Sequence, residues 1–217
     1  MRILCFGDSL TEGVTGQVNL KSHHPIIHPY SMKLQTYFDF HDHTIMGHFR
    51  PIVEVHNAGT SGETANDQML LKLARILQGA SLKYSWVVIF AGADDLHTIG
   101  TDVTKRGDPN EIVNSLVRLH DVSLENGAKT VAVTITDGPC ELNGDCDKFW
   151  ASRNDINEAL RNFAELKSPG RVVVADVAKN VSFFHEEALW SGQRYYFSPK
   201  GYDRIATVIY SAMKKHF

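Results

Sequence analysis

Five short apolar runs, Arg2–Phe6, Ile52–His56, Trp86–Ala91, Thr130–Thr136 and Arg171–Val177, alternate with longer stretches of helical period. The runs are rich in β-branched residues, apolar on consecutive positions, and bounded by Gly, Asp, Asn or Pro. Strands covered on both faces read this way. Between them, Tyr30, Leu34, Tyr37 and Phe38 mark a first helix, and Met69, Leu70, Leu73, Ile76 and Leu77 form a helical stripe for a second. Asp108-Pro109-Asn110-Glu111 opens a third with an N-cap Asp, Pro at the first helical position and Glu at the third, and Ile112, Leu116 and Leu119 carry its apolar face. A fourth covers about 151–166. A fifth starts at Ser198-Pro199 and carries Ile205 and Val208. Successive βα units of this kind predict one parallel sheet with helices on both faces and right-handed crossovers.

The chain of 217 residues is the length of a single domain over 1–217, and its 43% hydrophobic residues suffice for a core. Lys and Arg number 22 against 25 acids, so no overall basic surplus points to nucleic acid or an anionic membrane as a partner. No run approaches the 18 or so apolar residues of a membrane span, and the N-terminal segment is too short for a signal peptide. Three cysteines do not make a disulfide framework, although Cys140 and Cys146 share a loop and could pair if oxidised. These features together read as a soluble, cytoplasmic protein. The segments 15–28, 41–50, 98–107 and 139–148 are the least regular.

In such a sheet, functional groups collect at the carboxyl ends of the strands. The first expected strand ends in Gly7-Asp8-Ser9-Leu10, and the second in His56-Asn57-Ala58-Gly59-Thr60-Ser61-Gly62-Glu63-Thr64. The third ends in Gly92-Ala93-Asp94-Asp95, and Tyr196-Phe197-Ser198-Pro199-Lys200-Gly201-Tyr202 leads into the last helix. Each piece alone is weak, since Ser after Asp is also a helix cap.

Four such motifs in this order resemble the SGNH hydrolases, the GDSL esterase/lipase family, over residues 3–206. The resemblance implies a flavodoxin-like three-layer α/β/α sandwich with a five-stranded parallel sheet, and hydrolysis of small acyl esters. It implies Ser9 as nucleophile and Gly59, with the Ser9 N–H, as oxyanion donors, while Asn57 holds the turn around Gly59. It implies no cofactor and no metal, and a small-molecule ester as the partner.

Three further positions depart from the family. Asp94 stands where the family has an oxyanion-binding Asn, Tyr196 where it has the catalytic His, and Gln193 where it has the Asp of the triad. A phenol titrating near 10 stays protonated at neutral pH and acts as a donor, so Tyr196 does not replace an imidazole base. Gln193 cannot stabilise an imidazolium. An ionised Asp94 repels a developing oxyanion, whereas Asn contributes roughly 10²–10³ in rate there. Of the 11 histidines, His185 is the best substitute base, with Glu186 or Asp176 as acceptors for its second nitrogen, and His97 is a weaker one. His41, Asp42, His43 and His48 have spacings a metal could use, but a solvated loop explains them better. The sequence thus leaves two readings open. One is an ester hydrolase with weak or altered catalysis. The other is an inactive relative that binds a small ligand or a protein.

Overall fold

The computed structural model describes residues 1–43, 52–96, 108–137, 147–182, 186–191 and 196–217, with the backbone alone at 41–43, 147–151 and 187. Gln193, His185, His97, His48 and the pair Cys140 and Cys146 lie outside the described residues, as do the side chains of His41, Asp42 and His43.

The main sheet runs β4-β1-β5-β6-β7 and is parallel throughout. Its strands are β1 (Arg2–Gly7), β4 (Glu54–Gly59), β5 (Trp86–Phe90), β6 (Lys129–Val133) and β7 (Val172–Ala175). The connections carry α1 (Ser9–Glu12), α2 (Tyr30–His43), α3 (Asp67–Gly79), α4 (Pro109–Glu125), α5 (Asp147–Leu166), the short α6 (Val177–Asn180) and α7 (Pro199–Met213).

Strand alternation explains the two cores. On β1, Ile3 and Cys5 point to one face and Leu4 and Phe6 to the other; on β5, Trp86, Val88 and Phe90 oppose Val87 and Ile89. The first set packs with Tyr30, Leu34 and Phe38 of α2 and Tyr202, Ile205, Ile209 and Met213 of α7. The second packs with Met69, Leu73 and Leu77 of α3, Ile112, Leu116 and Leu119 of α4, and Ile156 and Leu160 of α5. Each fully buried Leu, Ile, Val or Phe contributes about 1.5–3 kcal/mol by leaving water. Both faces of β1 and β5 therefore demand apolar side chains, which is why these segments read as unbroken apolar runs.

Helix starts follow local chemistry. Asp108 accepts the N–H of Asn110 at 2.9 Å with Pro109 at the first position of α4. Ser198 Oγ accepts the N–H of Gly201 at 3.2 Å ahead of α7, again with Pro at its start. Asn66 caps α3 by accepting from Gln68 and Met69.

Three elements differ from the sequence expectation. β4 begins at Glu54 and is half exposed along its length, because it is the edge strand of the sheet. α5 begins at Asp147, ahead of the expected start at Ala151. Within the segment expected to be irregular, β2 (Val14–Val18) and β3 (Pro25–Ile27) form a separate antiparallel pair.

Candidate active site

β1 delivers Ser9 to the carboxyl edge of the sheet at the first turn of α1. Asp8 is the N-cap, its Oδ1 accepting the Leu10 N–H at 3.0 Å. Its other oxygen accepts the Ala93 N–H at 3.3 Å, tying the end of β1 to the loop after β5. Ser9 itself is 6% exposed. Among the described residues, neither its N–H nor its Oγ has a hydrogen-bond partner. That leaves one donor and one hydroxyl for a ligand.

The second wall comes from the end of β4. Asn57 Nδ2 donates to the Thr11 carbonyl at 2.7 Å and to Ser31 Oγ at 3.0 Å, while its Oδ1 accepts the Gly59 N–H at 2.9 Å. The N–H expected to hold an oxyanion is thus committed to Asn57. Gly59 has a packing reason to be glycine: a Cβ there would lie 2.1 Å from the Glu12 nitrogen of α1. Three residues on, Gly62 adopts φ +78, open to glycine at no steric cost, and its N–H donates to Asp94 Oδ2 at 3.1 Å.

The loop that carries Gly62 is pinned on several sides. Glu12 Oε2 accepts the Ser61 N–H at 2.8 Å and also the Ser61 hydroxyl. Lys72 Nζ donates to Thr60 Oγ1 at 2.5 Å and pairs with Glu63 Oε2 at 2.9 Å. Both carboxylate oxygens of Asp95 accept the Ala65 N–H, at 2.9 and 3.1 Å.

The third wall is the turn before α7. The Ser191 N–H donates to the Tyr196 carbonyl at 2.8 Å, and Trp190 pairs with Phe197 in an antiparallel bridge with ring centroids 4.3 Å apart. Tyr196 is thereby presented near Asp94: burial first, and then the Asp94 charge, hold its phenol above the ordinary range. It remains a hydrogen-bond donor at neutral pH.

Electrostatically the site is acidic. Burial, with the charges of Asp94 and Asp95 adding to it, pushes Asp8 up to about 8, although the Leu10 and Ala93 N–H groups oppose the rise. Burial also raises Asp95, against its bond from Ala65. Asp8, next to Ser9 in the chain, and Tyr196 both feel the charge of Asp94, while Gly59 backs onto α1. Asp8 and Gly62 are the participants that the sequence reading passed over. A glycine between small polar residues just after a strand, and an Asp one residue before a helix start, are the signals that mark them. Among the described residues, no group of three or more His, Cys, Asp or Glu is placed to hold a metal ion, and no helix is long and apolar enough to cross a membrane.

Solved structures share this architecture. The lipase/acylhydrolase from Enterococcus faecalis superposes with a TM-score of 0.72 at 16% identity, over 99% of this chain and 95% of its own. LAE5, an alpha/beta hydrolase enzyme from the metagenome of Lake Arreo, gives 0.70 at 18% identity over 98% of this chain and 94% of its own. The psychrotrophic esterase EstA from Pseudoalteromonas sp. gives 0.67 at 17% identity, over 99% and 95%. No curated protein matches the chain by sequence. The sequence profile of one family does match, over residues 5–204, which takes in every strand end described above: the chain belongs to the GDSL-like lipase/acylhydrolase family.

Proposed function

We propose that the protein is an SGNH-type ester hydrolase of small acyl esters with weak catalysis, Ser9 being the nucleophile. The observation that carries this reading is the state of Ser9, buried at the carboxyl edge of the sheet with both its N–H and its hydroxyl uncommitted among the described residues. Ser9 Oγ adds to the ester carbonyl carbon and gives its proton to a base. The tetrahedral adduct then expels the alcohol, and water releases the acid from the acyl-enzyme. The Ser9 N–H is the free oxyanion donor in this reading, since the Gly59 N–H is held by Asn57 and the Gly62 N–H by Asp94.

The weakness has a physical origin. Tyr196, at the position of the family's base, carries a phenol that keeps its proton, and Gln193 at the orienting position brings no charge. Losing the base from such a triad costs about 10⁶ in turnover. His185 is the remaining candidate base.

The hydrogen bond from Gly62 to Asp94 favours the second reading, an inactive relative whose pocket binds a small ligand. A carboxylate already occupies the donor that an oxyanion needs.

The test is hydrolysis of p-nitrophenyl acetate by wild type, Ser9→Ala and His185→Ala. The first reading expects a slow rate that Ser9→Ala abolishes, and His185→Ala abolishes it too if that residue is the base. Wild type indistinguishable from Ser9→Ala selects the binding reading. A wild-type rate several orders of magnitude above Ser9→Ala, unchanged in His185→Ala, rejects both weak catalysis and His185.

A further inference from the structure

The β2–β3 pair lies outside the sheet and outside both cores. Leu20 at its tip is 91% exposed, and Val18 and Ile27 on its strands are 53% and 54% exposed. None of the three packs against either core cluster among the described residues.

The turn is nonetheless ordered. Asn19 Oδ1 accepts the N–H groups of Lys21 and Ser22 at 2.9 and 3.2 Å. The Asn19 N–H donates to the His24 carbonyl, and the His23 N–H to the Asn19 carbonyl, both at 2.9 Å.

The base is anchored as firmly. Thr15 Oγ1 donates to the Ile26 carbonyl at 2.7 Å and Tyr202 Oη to the Val14 carbonyl at 2.6 Å, while His28 Nε2 lies 3.0 Å from Asp203 Oδ1. With Ile26 at 39% exposed as well, a fixed two-stranded arm thus holds four apolar side chains in contact with water, at a cost that neither the turn nor the base explains.

Its charge is one-sided. Gly13 to Pro29 contains no Asp or Glu, whereas Lys21, His23 and His24 stand around the tip. Of the flanking acids, Glu12 is engaged with Ser61, and Asp203 meets the arm only at its base, through His28. In a chain of net charge −3, this is a local reversal of sign.

We propose that the β2–β3 arm docks onto an anionic lipid surface, inserting Leu20 with Val18 and Ile27 beside it while Lys21 meets the headgroup phosphates. Size separates this occupant from a protein. A stable protein interface takes about 20–30 residues a side, more than one short hairpin supplies, whereas a shallow interfacial anchor needs only a few apolar side chains and a cation. The arm leaves α1 one residue after Glu12, so docking would bring the surface to the same end of the molecule as Ser9. The proposal does not depend on the hydrolase reading, because it concerns binding alone.

The experiment is co-sedimentation of the full chain with vesicles of phosphatidylcholine plus phosphatidylglycerol, and of phosphatidylcholine alone. Wild type, Leu20→Asp, Leu20→Ser and Lys21→Glu are compared after circular dichroism has confirmed that each is folded. The expected result is reversible binding to the phosphatidylglycerol vesicles that weakens with salt. It drops about tenfold or more in Leu20→Asp, less in Leu20→Ser, and about fivefold or more in Lys21→Glu. Absence of binding, equal binding to phosphatidylcholine alone, or binding untouched by both Leu20 variants overturns the proposal. So does concentration-dependent dimerisation of wild type that Leu20→Asp abolishes, which would make the arm a contact between copies.

Discussion

The backbone N–H of Gly62 donates to the carboxylate of Asp94 at 3.1 Å, so this donor is satisfied by an internal acid before any ligand arrives. In a site that stabilises a tetrahedral intermediate, that acid is opposed to the charge that must develop.

Replacing the acid by its amide should remove the opposing charge and add an N–H donor, while the amide oxygen can still accept from Gly62. Asp94→Asn is expected to raise Ser9-dependent hydrolysis of p-nitrophenyl acetate by less than the roughly 10²–10³ that a working donor is worth, because the base is still missing. Tyr196→His alone should do little, since an imidazole without an acid partner is free to adopt the wrong tautomer. The triple change Gln193→Asp, Tyr196→His and Asp94→Asn should exceed the product of the single effects, as these groups act as a unit. A folded triple variant that stays at the Ser9→Ala rate would show that the pocket no longer accepts esters.

The two glycines of the same loop should respond in different ways. Gly59→Ala places a methyl 2.1 Å from the Glu12 nitrogen and 2.5 Å from the Thr11 carbonyl carbon, so the end of β4 or α1 must shift. Gly62→Ala meets nothing within 4 Å and bears only the cost of φ +78, about 1–2 kcal/mol. Urea unfolding should rank Gly59→Ala well below Gly62→Ala in stability. The reverse order would mean that the packing of Gly59 against α1 is misplaced.

Asp8 should leave a signature in the pH dependence of stability. Its folded-state value, pushed up to about 8, lies above the ordinary value of 3.8 that the unfolded chain has, so between these limits the folded state holds more protons. Stability from this group is full below about pH 4 and declines as pH rises toward 8. Asp8→Asn keeps an oxygen for the Leu10 N–H and removes the titration. Its stability relative to wild type should therefore improve steadily from pH 5 to pH 8. A difference that is flat over this range, measured by chemical denaturation at each pH, would show that Asp8 titrates normally.

How much of this was legible in the sequence varies with what each residue answers to. β1 and β5 could be read from composition because both faces are dry, as Leu4 and Cys5 on opposite cores illustrate. β4 was located but shifted, because an edge strand with Glu54 and His56 in its ladder lacks the continuous apolar signal. The capped starts of α4 and α7 were readable because a cap and a following Pro act locally. The β2–β3 pair was not, since Thr15 is the one buried residue on its strands and no apolar alternation reports them. At the site, Ser9 and Asp94 could be placed from motif order. That Asn57 takes the Gly59 N–H could not, because it is a contact within a folded turn.

The segment around Tyr196 is held through its main chain and its neighbours. Its carbonyl accepts from Ser191, and Phe197 next to it packs at a tilt against Trp190. The address is written in the backbone and the occupant is interchangeable. A different side chain at this position would find the same main-chain hydrogen bond and the same aromatic neighbours around it. Substitution here changes the chemistry on offer at the end of the sheet without asking the architecture to alter.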